Sequence, residues 1–398
     1  MKNVPVMMYH SVGYPNKNWV WSYLTCPVGI FEKQMRSLLK NRFKTIGLQD
    51  LYDYMSYGKT LPSKAFVLTF DDGYLDNWVY VYPLLKRYGL RGTIYVNPEF
   101  VDPTVEYRPN LEDVWSGKVS KNDLVDLGFL SWNEMKIMEE DGVMDIQSHA
   151  LTHTWYFNSS RIIDFRNPWD AYIWMDWNEY PEKKPYYLTE IYPKKYGAPV
   201  YMYEKSLITK RYFPDIHLEK ETVSFVKENG GKSFFGCPKW KNKLFKVVEN
   251  YKKTHDLIDH IENEKEYERR VKHELLYSKE KIEKKLKKKV NFLCWPGGGV
   301  NETTLRLASQ AGYLSSTYSS REKRGKNIFG EDPTRIKRIS DLHFSSRSEI
   351  FHVSGAMYIF WLVAYSYCPL LSTALRLPLQ FSFDIWCRLK NTLLGKQS

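Results

Sequence analysis

The sequence predicts an α/β fold in which a parallel sheet closes into a barrel. Short apolar or β-branched segments of strand length recur along the chain, and helical patterns separate most of them. This alternation of strand and helix is typical of a parallel α/β barrel. In such a barrel, functional side chains are expected at the carboxyl ends of the strands. The predicted strands are residues 4–9, 44–46, 66–70, 93–96, 145–147, 292–294, 315–318 and 336–339.

Two adjacent carboxylates follow the third of these strands. Residues 66–70 are apolar or β-branched, and Asp71, Asp72 and Gly73 come directly after them. The strand is therefore expected to deliver both acids to the carboxyl edge of the sheet. Neighbouring acids at such a place are costly unless positive charge lies between or beyond them. An isolated Asp-Asp-Gly sequence, however, is usually an ordinary turn.

A pair of histidines follows the strand predicted at residues 145–147. His149 and His153 are four residues apart, which is about one helical turn, so both rings can face the same point. Two imidazoles and one carboxylate are a common metal ligand set, and a second carboxylate would remain as a base. An isolated His-x-x-x-His pair is more often a solvated or core pair. The combination of the histidines with the two acids favours a metal site.

Further segments extend this pattern in a fixed order along the chain. They are VPVMMYHSV at 4–12, FEKQM at 31–35, TFDDG at 69–73, YPLLK at 82–86, SHALTH at 148–153, FLCWPGG at 292–298 and AGY at 311–313. Their order resembles the polysaccharide deacetylase family, whose members are metal-dependent de-N-acetylases of glycans. The resemblance covers roughly residues 3–155 and 272–340.

The resemblance implies a distorted (β/α) barrel and a hydrolytic reaction at an N-acetyl amide. It implies that Asp72, His149 and His153 hold a divalent metal ion and that Asp71 is the general base. Zinc suits two imidazoles and a carboxylate, although other divalent ions remain open. The substrate is expected to be an N-acetylated sugar in a polysaccharide or in a lipid-linked glycan intermediate.

The third motif of the family departs from its usual form in this chain. The family often has Arg-x-Pro-Tyr, in which the arginine tethers the base and a backbone N–H binds the oxyanion. Here the matching stretch is Cys294-Trp295-Pro296-Gly297. The backbone N–H of Gly297 is retained and is the expected oxyanion donor. Another cation must tether Asp71, and Arg335 and Arg338 are the candidates.

The general acid is less clear, because the usual late Leu-x-His motif is not evident. Asp341-Leu342-His343 stands near the expected place with unconvincing spacing. His10, at the end of the first predicted strand, is the other candidate for acid catalysis or substrate binding. The alternative is that His10 is a hydrogen-bonded histidine of the barrel.

The chain is expected to form a barrel from residues 1–345, with additions. Residues 155–271 are an insertion, favoured as a lid or substrate-binding lobe over a scaffold or oligomer contact. Residues 346–398 form an apolar tail, in which residues 350–375 contain no Asp, Glu, Lys or Arg. Core packing, an interfacial anchor and a spanning helix are the three interpretations of this tail. Its aromatic content and late basic residues favour the interfacial anchor.

Composition indicates where the protein works. The five cysteines are scattered without a Cys-x-x-Cys pair, and Met1 runs straight into the first strand without an apolar signal region. A reducing, cytoplasmic location is expected, either free in the cytoplasm or peripheral on the cytoplasmic face of a membrane. The net charge of +12 favours an anionic membrane surface or acidic substrate, since no nucleic-acid module is evident.

Two other functions remain open at this stage. A deformylase or another amide hydrolase on a lipid-linked amino sugar would use the same residues. A catalytically inactive carbohydrate-binding or scaffold protein would explain the altered motifs, but the retained Asp71, Asp72, His149 and His153 oppose it. The sequence does not indicate the oligomeric state.

Overall fold

The computed structural model describes residues 3–16, 19, 21–190, 192–318, 326–340, 343–345, 350–367 and 369–394. The described strands are β1 (Val6–Tyr9), β2 (Ser11–Gly13), β3 (Thr25–Pro27), β4 (Lys44–Thr45), β5 (Ala65–Phe70), β6 (Gly92–Val96), β7 (Met144–Ser148), β8 (Trp155–Phe165), β9 (Pro199–Lys205), β10 (Tyr212–Pro214), β11 (Ile258–Ile261), β12 (Phe292–Leu293), β13 (Ser315–Thr317), β14 (Arg335–Ile336), β15 (Ile339–Ser340), β16 (His343–Ser345) and β17 (Ile350–His352). The described α-helices are α1 (Val28–Lys40), α2 (Leu48–Tyr57), α3 (Tyr82–Tyr88), α4 (Leu111–Trp115), α5 (Trp132–Glu140), α6 (Ile173–Glu179), α7 (Ile216–Glu228), α8 (Trp240–Tyr251), α9 (Glu264–Leu286), α10 (Glu302–Gln310), α11 (Gly355–Tyr367) and α12 (Pro369–Leu394).

One parallel sheet forms the centre of the molecule. Its strand order is β14-β13-β12-β7-β6-β5-β1-β15, with β4 paired to the start of β5. The end strands β14 and β15 are separated by only two residues in the chain, so the sheet curls until its two ends lie close together. The structure confirms the predicted α/β fold and its distorted (β/α) barrel.

The segment predicted as one strand at residues 336–339 is two strands. Ile336 ends β14, which pairs with β13, whereas Ile339 begins β15, which pairs with β1 at the other end of the sheet. The chain changes partners here because it crosses the seam where the ends of the sheet meet. Lys337 and Arg338 form that crossing, which places Arg338 beside the carboxyl end of β1.

Burial on both faces explains the apolar composition of the central strands. All six residues of β5 are buried, as expected for a parallel strand covered by helices or barrel interior on each side. On the next βα unit, Ser131 caps the first turn of α5 while Glu134 binds back to the Ser131 N–H. This reciprocal cap fixes the start of the helix that leads into β7.

The region between β8 and α9 builds its own small structure. Strands β8 and β9 pair antiparallel, and β10 pairs antiparallel with β11. Helices α7 and α8 pack with them around an apolar cluster of Phe165, Leu218, Val226, Phe234, Phe235, Leu244, Val248 and Tyr251. The exact limits predicted for the insertion and for the domains stay predictions.

The C-terminal helices have different environments. One face of α11 enters the barrel core through Tyr358, Trp361 and Leu362, and the Tyr358 hydroxyl lies 3.0 Å from that of Tyr9. Helix α12 instead exposes much of its apolar surface. Among the described residues, no helix has both the length and the apolar character needed to span a bilayer.

Candidate active site

A pocket of about 500 Å³ lies at the carboxyl ends of the central strands. The register explains its composition, because Tyr9 of β1 pairs with Phe70 of β5, so that His10 and Asp71 follow side by side. The pocket is lined by Met8, His10, Trp21, Tyr23, Leu24, Asp71, Asp72, His149, His153, Trp155, Trp295, Gly297, Gly298, Thr317, Tyr318, Lys337, Arg338 and Ser340. The structure therefore brings all six predicted site residues to one pocket.

Asp71 is held by Arg338, one of the two predicted tethers. The Arg338 guanidinium donates to both carboxylate oxygens of Asp71, at 2.6 and 2.8 Å. Such a two-point pair fixes the orientation of the carboxylate as well as its charge. Burial would raise the pKa of Asp71, but Arg338 lowers it below its ordinary value. Arg335 is directed elsewhere and donates to the Ser316 hydroxyl at 2.9 Å.

Cys294 explains how the altered motif is accommodated. Its sulfur lies 3.0 Å from Arg338 Nη2 and 3.5 Å from Asp71 Oδ2. The position at which the family often has an arginine is thus next to Asp71. In this chain that position is Cys294, and the cation comes instead from the segment where the two ends of the sheet meet. Arg338 reaches the same carboxylate from the crossing between β14 and β15.

Asp72, His149 and His153 converge on one point. Asp72 Oδ1 lies 3.2 Å from His149 Nε2 and 3.3 Å from His153 Nε2. The two ring nitrogens and the carboxylate oxygen all lie within 4.8 Å of one another. Their roles as metal ligands stay a prediction, and the donor set itself is the one that a divalent ion such as zinc prefers.

Hydrogen bonding around these donors fits a cation. The carbonyl of Cys294 can only accept, so His149 Nδ1, 2.9 Å away, must carry the proton. In the neutral ring, Nε2 then directs a lone pair toward Asp72 Oδ1, a buried oxygen without a hydrogen-bond partner among the described residues. Two electron-rich atoms at this distance require positive charge between them, and a metal ion or a proton supplies it.

The pKa values of Asp72 and His149 agree with this need for positive charge between them. Burial by itself would raise the pKa of Asp72, but His153 and His149 lower it well below the ordinary value. Burial would likewise lower the pKa of His149, yet Cys294 and Asp72 raise it well above the ordinary value. The pocket therefore favours a negative Asp72 with a positive species beside it.

The ligand-bearing loops adopt a costly backbone conformation. Asp72, Ala150 and His153 have φ values of 73°, 56° and 42°, in the left-handed region that residues with a Cβ rarely occupy. Such strain persists only where surrounding contacts fix it, and it is common at functional sites. Here the Asn97 side chain donates to the His149 carbonyl, and the Ser278 hydroxyl donates to that of Ala150 at 3.0 Å.

Gly297 lies in the pocket wall with a φ of 54°. A Cβ at this position would come within 3.1 Å of Cε of Lys205, the last residue of β9. Both the backbone conformation and the close approach of Lys205 therefore favour glycine. The oxyanion role of its N–H stays a prediction.

His10 lines the pocket, and its Nε2 lies 3.9 Å from Asp71 Oδ2, too far for a direct hydrogen bond. Burial lowers the pKa of His10, which favours the neutral ring at neutral pH. The alternative residues of the late motif are less informative. Asp341 and Leu342 lie outside the described residues, and His343 faces His352 in the β16–β17 hairpin, with ring centroids 5.6 Å apart.

The aromatic wall of the pocket was not predicted residue by residue. Trp21, Tyr23 and Trp155 line it, with the Trp21 and Trp155 rings 6.1 Å apart. The aromatic content of the chain, 16%, is compatible with sugar stacking and equally with large cores and interfaces, and it does not say which rings line a site. Trp155 carried one usable signal, since it follows His153 by two residues.

Comparison with known proteins finds similar proteins among polysaccharide deacetylases. A polysaccharide deacetylase family model matches residues 58–170 and 249–315. A Bacillus subtilis (strain 168) protein named polysaccharide deacetylase YxkH is 27% identical over 150 residues, 38% of this chain and 43% of that protein. The poly-beta-1,6-N-acetyl-D-glucosamine N-deacetylase of Escherichia coli (strain K12) is 24% identical over 129 residues, 32% of this chain and 18% of that protein.

The solved de-N-acetylase of Aggregatibacter actinomycetemcomitans has a similar fold. Its TM-score is 0.51 at 18% identity, over 85% of this chain and 94% of that one. These matches confirm the resemblance to the polysaccharide deacetylase family noted in the sequence. The matches span less than half the length of the two curated relatives, so the activity of the whole protein is a separate question.

The insertion contributes a buried lysine that the sequence did not reveal. Lys184 lies in a 3-10 helix, Pro181–Tyr186, and is only 2% exposed. Its ammonium group donates to the Thr152 carbonyl at 2.9 Å and pairs with Glu99. Thr152 precedes His153 and also donates its hydroxyl to Glu274 at 2.7 Å. The insertion thereby helps to fix the loop that carries His153.

Replacing Lys184 by methionine should loosen this loop. The apolar stem would remain, but the Thr152 carbonyl and Glu99 would lose a buried partner, at about 1–3 kcal/mol of stability. Zinc affinity should fall by about tenfold, the lower end of the effect of outer-shell partners. Chelator competition and thermal unfolding measure the two effects. Lys220→Met, an exposed change in α7, should alter neither; equal zinc affinity in both variants would refute the role of Lys184.

Proposed function

We propose that the protein is a metal-dependent hydrolase that removes the acetyl group from an N-acetylated sugar of a polysaccharide or lipid-linked glycan. The observation that carries this proposal is the Asp72–His149–His153 cluster beside an ionised, Arg338-bound Asp71 in an open pocket. The name of the Escherichia coli relative, an N-deacetylase of poly-beta-1,6-N-acetyl-D-glucosamine, supports the class of substrate.

Each residue has a distinct task in this proposal. A divalent ion held by Asp72, His149 and His153 would polarise the acyl carbonyl and make water more acidic. Asp71 takes the proton of the attacking water, and Arg338 keeps Asp71 ionised and aimed into the pocket. The N–H of Gly297 donates to the oxygen that becomes negative. His10, neutral and close to Asp71, positions the sugar or exchanges a proton with the leaving amine.

The pocket suits a sugar in size and in surface. Its volume of about 500 Å³ exceeds that needed for one pyranose unit, and Trp21, Tyr23 and Trp155 offer flat apolar faces. Tyr23 is 52% exposed, so its ring is accessible from solvent. Apolar walls with a few convergent polar groups are typical of a small-ligand site.

Acetate release from β-1,6-linked N-acetylglucosamine oligomers tests the activity. The zinc-loaded protein should release acetate and form free amines in equal amounts. Formylated oligomers should be compared in parallel, because faster release of formate would favour the alternative deformylase. Absence of both products from oligomers of several linkages would contradict the proposed reaction.

We further propose that α12 attaches the protein to the cytoplasmic face of an anionic membrane. Leu377, Phe381, Ile385 and Leu389 recur every four residues and are 66%, 67%, 43% and 59% exposed. They form an apolar stripe along one side of the helix, as in helices that lie in a lipid interface. The net charge of +12 adds attraction to anionic lipid. A cytoplasmic location agrees with the free thiols of Cys237, Cys294 and Cys387.

The double change Phe381→Glu and Ile385→Glu should abolish binding to vesicles that contain phosphatidylserine. It places two carboxylates on the stripe without touching the face of α11 that packs in the barrel core. Sedimentation with vesicles measures the effect. Tyr57→Glu with Val105→Glu, at positions 76% and 75% exposed, adds the same charge elsewhere and should retain binding. If the wild-type protein stays in the supernatant, or self-associates through α12 without binding vesicles, the anchor is wrong.

A further inference from the structure

A second cavity lies within the insertion, beside strand β8, whose first residue borders the active-site pocket. Trp155 of β8 lines the active-site pocket, whereas the next residue, Tyr156, lines this cavity. The cavity has a volume of about 210 Å³, and Trp174, Arg211 and Phe213 contribute to its wall. Ile216, on its rim, is 49% exposed, so the cavity is near the surface.

Arg211 is held in this cavity by two aromatic rings. Its guanidinium carbon lies 4.5 Å from the ring centroid of Tyr156 and 4.5 Å from that of Phe213. The backbone N–H of Arg211 donates to Glu262, but no described residue accepts a hydrogen bond from its guanidinium. The side chain is half-buried, and burial lowers the pKa of Arg211. An anion that enters the cavity stabilises a cation in this state.

The other cations around the cavity already have carboxylate partners. Arg270 stacks on the same Tyr156 ring at 4.9 Å, and Glu262 binds its guanidinium at 2.7 and 2.9 Å. Lys195 pairs with Glu179 and Glu219, at 2.6 and 3.1 Å. Arg166 makes a two-point pair with Asp176. Among the described residues, Arg211 is therefore the cation of this cavity whose charged group has no carboxylate partner and can bind a ligand.

We propose that this cavity binds the carboxylate of an acidic sugar residue, such as a uronic acid unit of a glycan. The two rings lie 4.5 Å from the guanidinium carbon, and no described residue accepts from the guanidinium N–H groups, so these donors remain for a ligand. The edge of a guanidinium matches a planar carboxylate through two parallel hydrogen bonds. Met175, Pro214 and Ile216 line the same cavity and offer apolar surface for one pyranose ring. Glu179 and Glu219 on the wall disfavour the higher charge of phosphate.

The inference takes from the proposed function only that the ligand is a glycan unit, and its test does not need turnover. Titration of the full-length protein with glucuronic acid should give saturable binding, followed by calorimetry and by the tryptophan fluorescence to which Trp174 contributes. Glucose lacks the carboxylate and should bind at least tenfold more weakly, since a charged hydrogen bond is worth roughly that factor or more. Inorganic phosphate should also bind at least tenfold more weakly, because Glu179 and Glu219 disfavour its higher charge.

Variants at Arg211 separate a binding role from a structural one. Arg211→Gln should weaken glucuronic acid binding by about tenfold to hundredfold, and Arg211→Lys should fall between it and the wild type. Arg161→Gln, an exposed change in β8 that removes the same charge, should bind like the wild type. If Arg211→Gln does not fold, the comparison of Arg211→Lys with the wild type decides.

Three outcomes would overturn the assignment. They are no saturable binding of glucuronic acid to the wild-type protein, equal binding by a folded Arg211→Gln variant, and phosphate binding as tight as that of the uronic acid. Binding that depends on Arg211 in a protein that releases no acetate from any oligomer would uphold this site and contradict the proposed function. The two proposals can therefore fail independently.

Discussion

Asp71→Asn should lower the rate of deacetylation by about 10²–10⁴-fold while the protein keeps its metal. General bases contribute rate factors of this size. Asparagine has the same shape but cannot take a proton from water, and Asp71 is not a member of the group formed by Asp72, His149 and His153. The rate of acetate release at saturating substrate measures the loss of activity, and elemental analysis measures the metal content. A variant that retains wild-type turnover would exclude Asp71 as the base.

Arg338→Gln is the matched variant for this experiment. It leaves the Asp71 carboxylate in place but removes the cation that lowers the pKa of Asp71. Because the ionised form of Asp71 is the active one, the acid limb of the pH–rate profile should move to higher pH. At pH values above the shifted limb, activity should recover more fully than in Asp71→Asn. An unchanged acid limb would mean that Arg338 does not control the base.

Asp72→Asn should remove the metal ion itself. Asp72 supplies the anionic oxygen on which both histidine rings converge. Outer-shell partners alone are worth 10–100-fold in metal affinity, so loss of this oxygen should lower zinc affinity by more than about a hundredfold. Zinc content after dialysis against a weak chelator should fall from one ion per chain to almost none, and acetate release should fall with it.

A surface carboxylate provides the control for the metal experiment. Asp53→Asn changes a residue of α2 that pairs with Lys59, remote from the pocket, and should leave zinc content at one ion per chain. Circular dichroism should show both variants folded. Full zinc content in Asp72→Asn would place the metal elsewhere or show that the two histidines suffice.

Local patterns in the chain predicted the barrel and the two acids and two histidines of the site. The apolar strand that ends at Asp71 and Asp72, and the spacing of His149 and His153, depend on short-range chemistry that a sequence displays directly. The fold then brings these segments together, because parallel strands in one sheet present their carboxyl ends at the same edge. The boundaries of β6, which keeps one pair of neighbours, were predicted to within one residue.

The parts that the sequence did not predict depend on contacts between distant segments. Arg335 and Arg338 could not be told apart, because the choice depends on where the sheet closes between β14 and β15. Lys184 and Arg211 looked like ordinary charged residues of a polar insertion. Their burial arises only when the insertion packs against the His149–His153 loop or around Tyr156.

The insertion therefore has more than one role in this interpretation. It borders the pocket through Trp155, fixes the His153 loop through Lys184, and packs the stem of Lys205 against Gly297. These contacts favour a structural contribution to the site over a lid that moves freely. The cavity at Arg211 would give the same segment a hold on the glycan away from the reacting group.

A zinc titration of the metal-free protein, with acetate release as the readout, tests the central claim most directly. Chelated wild-type protein should have almost no activity toward N-acetylglucosamine oligomers. Activity should rise in proportion to added zinc and stop rising at one ion per chain, whereas Asp72→Asn should show no such break. Full activity of the metal-free protein, or activity that ignores the added zinc, would contradict the proposed metal-dependent deacetylation.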